Sequence, residues 1–364
     1  MSVLRNIEKL ETYLQNKFSS ERLKTVASEE NACVEFWKYY LQKTDESHFQ
    51  ILKDFYPQLY FPIETEINKT EDYINAVLKG KDSFKNLQTH LFLNHAEGIS
   101  IQLHKDISGT IPVISINDSQ DFVVIAQSLL YKNNPKPIPS SMGAFLANGI
   151  NNWERIHALK KEWIENRPSN NWNNEFSKNI LPIPELYKDK IIVVSTKPYS
   201  NIQAAHLGLS EDEWKAYSYS IRLEHECTHL YTLQRYGCAS NNLHDELIAD
   251  YIGIAKTLGN YNKEWMLAFM GLENYPQYRE GSRLENYIDR IDISGDRFQD
   301  LTKIIKNAIE TIAGFDEELG SIQSIQDQIV RIEALCETDL IDIASKRGGH
   351  MLMIKYNEKV AYSC

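Results

Sequence analysis

The feature that most constrains this chain of 364 residues is a short pattern, His-Glu-x-x-His, formed by His225, Glu226 and His229. Residues four positions apart in an α-helix lie on the same face, so both imidazoles can reach one metal ion. Glu226 lies beside that face, where it can accept a proton from a water on the metal. The pattern therefore predicts a helix that carries a metal site together with its own general base.

A catalytic zinc site uses three protein ligands and keeps an open position for water, so a third ligand has to come from elsewhere in the chain. Glu246 follows His229 by seventeen residues, and Asp250 lies four residues after Glu246. We expect Glu246 to be the third ligand of a Zn²⁺ ion. Asp250, one turn further along the same face, can accept the free N–H of a ligating histidine and fix its tautomer.

His225-Glu226-x-x-His229 with Glu246-x-x-x-Asp250 resembles the gluzincin group of zinc metallopeptidases, over a stretch from about residue 222 to residue 252. The resemblance implies that the two histidines and Glu246 bind zinc. It also implies that Glu226 activates water and that Asp250 supports a ligand. The expected reaction is hydrolysis of an amide, with a peptide bond as the first candidate.

The fold implied by this resemblance is an α+β, predominantly helical zincin, with a small sheet beside the motif helix and a helical C-terminal lobe. The metzincin pattern is excluded, because it needs Gly and His where this chain has Thr232 and Arg235. In gluzincin-like proteins an edge strand above the metal binds extended peptide by main-chain pairing. Residues 190–198 are the candidate for that strand, and they fit a plain sheet strand equally well.

Local signals set the bounds of the motif helix. Ser210 is a good N-cap, and Glu213 completes a capping box with it. Gly237 occupies the position where glycine commonly ends a helix. The motif helix should therefore run from about residue 211 to residue 236.

A second helix, from about residue 243 to residue 258, should carry the third ligand. Asn242 can cap its first turn. Glu246, Asp250, Gly253 and Thr257 form one stripe along it. Because glycine has no side chain, Gly253 would let the two helices approach closely enough for Glu246 to reach the metal.

The spacing of apolar residues predicts the other elements. Small and turn-forming residues from 140 to 152 predict a surface connection, and the tail at 348–354 is expected to include a last strand. We expect a division within the polar segment 166–171, giving a helical and mixed α/β lobe at 1–170 and a zinc-binding, metallopeptidase-like lobe at 171–364. The predicted elements are strands at 99–103, 111–116 and 190–196, and helices at 120–131, 153–165, 298–312 and 322–335.

The composition limits which classes of binding partner and which cellular compartment we expect. The formal net charge is −11, and no Lys/Arg cluster with interleaved aromatic residues points to nucleic acid. No run approaches the roughly eighteen apolar residues of a membrane span, and residues 1–8 lack an apolar signal core. We therefore expect a cytoplasmic protein that binds a peptide or small amide, with its oligomeric state open. Reduced thiols are expected, because the cysteines are odd in number and lack C-x-x-C pairs: Cys33, Cys227, Cys238, Cys336 and Cys364.

Two rival functions follow from other spacings. A carboxylate-bridged di-iron oxygenase needs two Glu-x-x-His pairs, which Glu154/His157 and Glu226/His229 supply. The predicted strands and the closely spaced Glu246 and Asp250 argue against it. A non-catalytic scaffold with a structural zinc is the other rival, although structural sites are usually closed by four ligands and rich in cysteine.

Other polar residues are weaker candidates for the site. His244 lies on the opposite face of its helix from Glu246, so we do not expect it to be a ligand. Arg222 could pair with a carboxylate or a substrate. The oxyanion of the reaction could be stabilised by one of His206, His350, Tyr251, Tyr261 and Tyr275.

Overall fold

The computed structural model describes residues 9–18, 32–42, 46–82, 87, 90–166, 171–239, 242–288, 291 and 296–363. The α-helices of these residues are α1 Leu10–Tyr13, α2 Ala32–Leu41, α3 His48–Phe55, α4 Glu71–Tyr73, α5 Ser119–Tyr131, α6 Trp153–Asn166, α7 Trp172–Glu175, α8 Glu211–Tyr236, α9 Leu243–Leu258, α10 Lys263–Met270, α11 Glu285–Ile288, α12 Arg297–Leu319, α13 Ile325–Cys336, α14 Leu340–Ile343 and α15 Gly348–Ser363. The strands are β1 Ser100–Asp106, β2 Gly109–Ile116, β3 Ala144–Asn151 and β4 Lys188–Ser195. The protein is thus predominantly helical with a small sheet, as the α+β prediction requires.

The four strands form one mixed sheet in the order β1-β2-β4-β3. β4 runs parallel to β2, with Val113 opposite Ile192, and antiparallel to β3, with Phe145 opposite Val193. Both edges of β4 are therefore paired within the sheet. The prediction that residues 190–198 form an edge strand for main-chain pairing with a peptide is wrong, and the plain sheet strand is what the structure contains.

Strand β3 occupies the segment where the sequence predicts a surface connection between residues 140 and 152. Its pairing with β4 slips between Asn148 and Ile150, and Gly149 between them has φ 86°. A glycine accepts this left-handed conformation without the steric cost that a side chain would add. The turn-forming residues thus mark an irregularity inside a strand rather than a loop.

Contacts divide the chain into two compact units. Among the described residues, those within 28–105 and 109–196 form the sheet unit, and those within 1–27, 106–108 and 197–364 form the motif unit. The division falls after residue 196 rather than near 170, because β4 pairs with β2 and β3 and so stays with the sheet. Residues 167–170, at the expected boundary, lie outside the described residues.

The motif unit has an extensive apolar core, to which α8, α9, α12 and α13 contribute buried side chains such as Ile221, Ile252, Ile305 and Ile332. α12 and α13 confirm the two amphipathic helices predicted near 298–312 and 322–335. The tail differs from the prediction, because residues 348–363 form helix α15 instead of a strand. None of the described helices has the length and apolar character needed to cross a bilayer.

Candidate metal centre

Helix α8 carries the His-Glu-x-x-His pattern and has the predicted bounds. The Ser210 hydroxyl accepts from the Glu213 backbone N–H at 3.3 Å, while the Glu213 carboxylate accepts from the Ser210 backbone N–H at 3.0 Å. Gly237 ends the helix in the left-handed conformation, with φ 70°. Both ends are thus fixed by local hydrogen bonding and backbone preference, which is why the sequence predicts them well.

Helix α9 carries the predicted third ligand. The Asn242 side chain accepts from the Asp245 backbone N–H at 3.0 Å and begins the helix, and Gly259 ends it. The predicted stripe faces α8 along its length. At its far end the Thr257 hydroxyl donates to the Ser220 hydroxyl at 3.0 Å.

The ligand atoms of His225, His229 and Glu246 converge on one point. The two Nε2 atoms lie 2.9 Å apart. His225 Nε2 lies 3.4 Å from Glu246 Oε2, and His229 Nε2 lies 3.5 Å from Glu246 Oε1. Ligand atoms held tetrahedrally at about 2.0–2.1 Å from zinc are about 3.3 Å from each other. All three residues are buried, and the donor set of two imidazoles and one carboxylate therefore fits a single zinc ion.

Carboxylates behind the two imidazoles orient their rings. Asp250 Oδ1 lies 2.8 Å from His225 Nδ1, and Asp245 Oδ1 lies 3.3 Å from His229 Nδ1. The shorter contact is a hydrogen bond, and a proton held there on His225 Nδ1 leaves the Nε2 lone pair free for a metal. The position of Asp250 agrees with the predicted supporting role. Asp245 was not predicted, although it adjoins Glu246 in the sequence.

Glu226 is buried beside the ligands, with 8% of its surface exposed. Its side chain makes no hydrogen bond or ion pair with any residue in the described part of the chain. Burial raises the pKa of Glu226, an effect that the nearby His225 and His229 oppose. A buried carboxylate without a fixed partner is available to accept and release a proton, as a general base must.

Arg283 and Tyr287 belong to the site but have no counterpart in the sequence analysis. The Arg283 guanidinium donates to Glu246 Oε2 at 2.7 Å and to Asp250 Oδ1 at 3.0 Å. The Tyr287 hydroxyl donates to the same Glu246 oxygen at 2.8 Å. Burial opposes ionisation of Glu246, but its interactions with His225 and His229 outweigh that cost and hold the pKa of Glu246 well below its usual value.

Tyr199 completes the group and is held in place by Arg222. Its hydroxyl donates to Asp250 Oδ1 at 2.5 Å and accepts from Arg283 at 2.8 Å. Arg222 donates to the backbone carbonyls of Lys197 and Pro198, and its guanidinium lies 5.3 Å from the centre of the Tyr199 ring. Arg222 therefore fixes the turn that carries Tyr199.

Gly253 allows the close approach of α9 to α8, as its position in the stripe predicts. A Cβ atom at this position would lie 2.7 Å from the Ile221 carbonyl oxygen and 3.2 Å from Ile221 Cγ2. The first distance is shorter than any ordinary van der Waals contact, so the two helices could not keep their spacing around a larger residue. Ile221 precedes the first ligand by one turn of α8.

We expect Gly253→Ala to lower the free energy of unfolding by about 1–3 kcal/mol, because the added methyl overpacks the helix interface. Zinc affinity should fall as well, since Glu246 moves with α9. Gly314→Ala is the matched control, because nothing lies within 4 Å of a Cβ at this α12 position. That variant should be neutral or more stable by up to about 1 kcal/mol. Urea unfolding without zinc measures the stability of each variant, and unfolding with zinc measures how strongly zinc stabilises it. Equal stability and equal stabilisation by zinc in the two variants would contradict the packing argument.

The weaker candidates lie elsewhere. His244 is buried with its Nε2 3.0 Å from the Leu335 carbonyl oxygen, in agreement with its exclusion as a ligand. His206 and His350 are exposed, and the Tyr251 hydroxyl donates to Asp316. No hydrogen bond between the described residues joins any of the five oxyanion candidates to the ligands. The polar groups around the ligands are instead Tyr199, Arg283 and Tyr287, which no local pattern distinguishes.

A family model described as a family of unknown function (DUF7005) matches residues 2–347. No curated protein and no solved structure matches the chain. The match spans both units, but its description carries no activity. Any function therefore has to be argued from the geometry of the candidate metal centre.

Proposed function

The chain belongs to the family of unknown function DUF7005, and we propose that it is a zinc-dependent hydrolase that cleaves an amide, with a peptide bond as the first candidate. The observation that carries this proposal is the pairing of two features. Three buried ligand atoms converge at distances that suit zinc. Next to them, Glu226 is buried and has no fixed partner in the described part of the chain.

The residues of the chain have distinct roles in the proposed reaction. His225, His229 and Glu246 would hold the zinc ion. When bound, zinc supplies a Lewis acid that polarises the amide carbonyl and lowers the pKa of a coordinated water toward 7. A Glu226 carboxylate oxygen accepts the proton of the attacking water and passes it to the nitrogen of the leaving amine as the C–N bond breaks.

The arrangement of helices supports a gluzincin-like fold for the motif unit. One helix carries the two histidines and the proposed base, and the next helix in the chain carries the third ligand and its supporting Asp250. A cytoplasmic location remains a prediction from the odd number of cysteines and the lack of C-x-x-C pairs in the sequence.

The di-iron alternative is weakened by the placement of its second pair. Glu154 accepts a hydrogen bond from the Tyr40 hydroxyl at 2.5 Å. His157 is exposed, and its Nε2 lies 3.2 Å from the Gly80 carbonyl oxygen. Both residues are thus engaged with other parts of the sheet unit.

A structural zinc is also less consistent with the site. Its mutually close ligand atoms come from three described residues, two histidines and one glutamate, with no cysteine. Structural zinc sites are usually closed by four ligands. A three-residue set leaves room for water and substrate.

Metal analysis combined with an activity assay tests the proposal. We expect the purified protein to contain near-equimolar zinc and little iron, and to hydrolyse members of a library of peptides and small N-acyl amides. A zinc-selective chelator should abolish hydrolysis, and added zinc should restore it. Iron at two equivalents would favour the oxygenase. Tightly held zinc without hydrolysis of any amide in the library would favour the scaffold.

A further inference from the structure

Arg283 is fully engaged with the metal centre, yet the proposed reaction assigns it no role. Its guanidinium contacts two carboxylates of α9 that lie one helical turn apart, Glu246 and Asp250. The same guanidinium donates to the Tyr199 hydroxyl at 2.8 Å and to the Tyr287 hydroxyl at 2.7 Å. One side chain thus joins the proposed third ligand to the carboxylate that orients His225.

These contacts distinguish the two oxygens of Glu246. Oε2 accepts from Arg283 at 2.7 Å and from Tyr287 at 2.8 Å, which uses both of its lone pairs. Oε1 lies 3.5 Å from His229 Nε2 and accepts no hydrogen bond from the other described residues, whereas Oε2 lies 3.4 Å from His225 Nε2 in addition to its two hydrogen bonds. The free lone pairs of the carboxylate are therefore on Oε1.

We propose that Arg283, assisted by Tyr287, is a positioning residue that makes Glu246 a one-oxygen ligand. This inference rests on the proposed zinc site. Both oxygens lie close to the imidazoles, but the lone pairs of Oε2 are held by the guanidinium and the phenol, so Oε1 is the oxygen with lone pairs free for the ion. A carboxylate that binds through one oxygen occupies one coordination position, and a further position is left for water and the carbonyl of the substrate.

The geometry of the guanidinium explains why arginine suits this position. Its planar fork presents several N–H donors in fixed directions, so it can hold Glu246, Asp250 and two phenols at once. A lysine ammonium is a compact charge that lacks this fork. Its positive charge also offsets part of the negative charge that the buried acidic residues bring to the site.

A second buried arginine in the motif unit provides a matched control. Arg331 donates to the Tyr251 hydroxyl at 3.0 Å and to Asp316 at 3.1 Å, and it also pairs with Asp327. It therefore makes the same kinds of contact as Arg283, but its partners are not among the proposed zinc ligands. Loss of Arg331 should disturb folding without a specific effect on the metal.

The test measures the affinity of Arg283→Met, Arg331→Met and the wild type for Zn²⁺ and Co²⁺ by competition with a chelator. We expect Arg283→Met to bind zinc about 10–100-fold more weakly, the usual effect of losing a residue that orients a ligand. Arg331→Met should keep wild-type affinity. The visible spectrum of bound Co²⁺ should change in Arg283→Met alone, because a Glu246 that binds through both oxygens alters the coordination number.

Two further variants keep the inference testable if Arg283→Met does not fold. Arg283→Lys keeps the charge without the fork, and Tyr287→Phe removes one donor to Oε2. Both should weaken zinc binding, Tyr287→Phe by the smaller factor. Wild-type affinity and an unchanged Co²⁺ spectrum in these variants would overturn the role of Arg283 while leaving the zinc site intact. A wild type that binds neither ion would instead remove the proposed function itself.

Discussion

Glu226→Gln is expected to lower the rate of amide hydrolysis by about 10²–10⁴-fold, the usual contribution of a general base, while zinc stays bound. Glutamine has nearly the same size as glutamate but cannot accept the proton of water at neutral pH. The ligand atoms of His225, His229 and Glu246 are untouched by the change. Zinc content by elemental analysis and turnover under saturating substrate measure the two effects separately.

Glu224→Gln is the matched control for this experiment. Glu224 is also a buried carboxylate of α8, but it lies 2.6 Å from the Lys256 ammonium and does not belong to the group formed by His225, His229 and Glu246. Its loss should reduce stability and leave turnover close to that of the wild type. If Glu226→Gln retained full turnover, or if both variants lost it equally, Glu226 could not be the specific base.

The sequence predicts the two helices of the site because their signals are local. Ser210, Asn242 and Gly237 act on the backbone within one turn of their own positions. The stripe that includes Gly253 follows from the helical period alone. Given two such helices, the spacing of the ligands leaves few ways to bring Glu246 to the histidines.

The sequence does not predict Arg283 and its two tyrosine partners, because their contacts are tertiary. Tyr199 precedes α8 and Arg283 follows α10, so neither shares a helix with the ligands. Nothing in their neighbouring residues distinguishes them from other buried aromatic or charged side chains. They can be recognised only once the fold places them beside Glu246 and Asp250.

The two mistaken secondary-structure predictions have related causes. The segment 144–151 contains Asn148, Gly149 and Asn151, which favour turns, yet pairing with β4 makes it a strand. The tail at 348–354 begins with two glycines, and its short apolar run fits a strand as well as a helix. In α15 the run continues as a helix whose Leu352 is fully buried in the core of the motif unit. In each case, tertiary contacts rather than the local sequence determine which secondary structure forms.

Glu246→Gln should weaken zinc binding by more than about 100-fold, a larger effect than the loss of an orienting residue produces. The variant loses the negative charge that attracts the cation, and Arg283 keeps only Asp250 as a charged partner. Zinc at 100 times its dissociation constant should stabilise the wild type by about 2.7 kcal/mol. At the same zinc concentration, the variant should gain little stability.

Thermal unfolding with and without zinc measures this difference, and Glu333→Gln is its control. Glu333 is a buried carboxylate of α13 that pairs with Arg235 at 2.7 Å and Lys359 at 2.9 Å, away from the proposed ligands. Glu333→Gln should lose stability in the metal-free state but keep the full stabilisation by zinc. If Glu246→Gln were protected by zinc as strongly as the wild type, the third ligand would have to be a different residue.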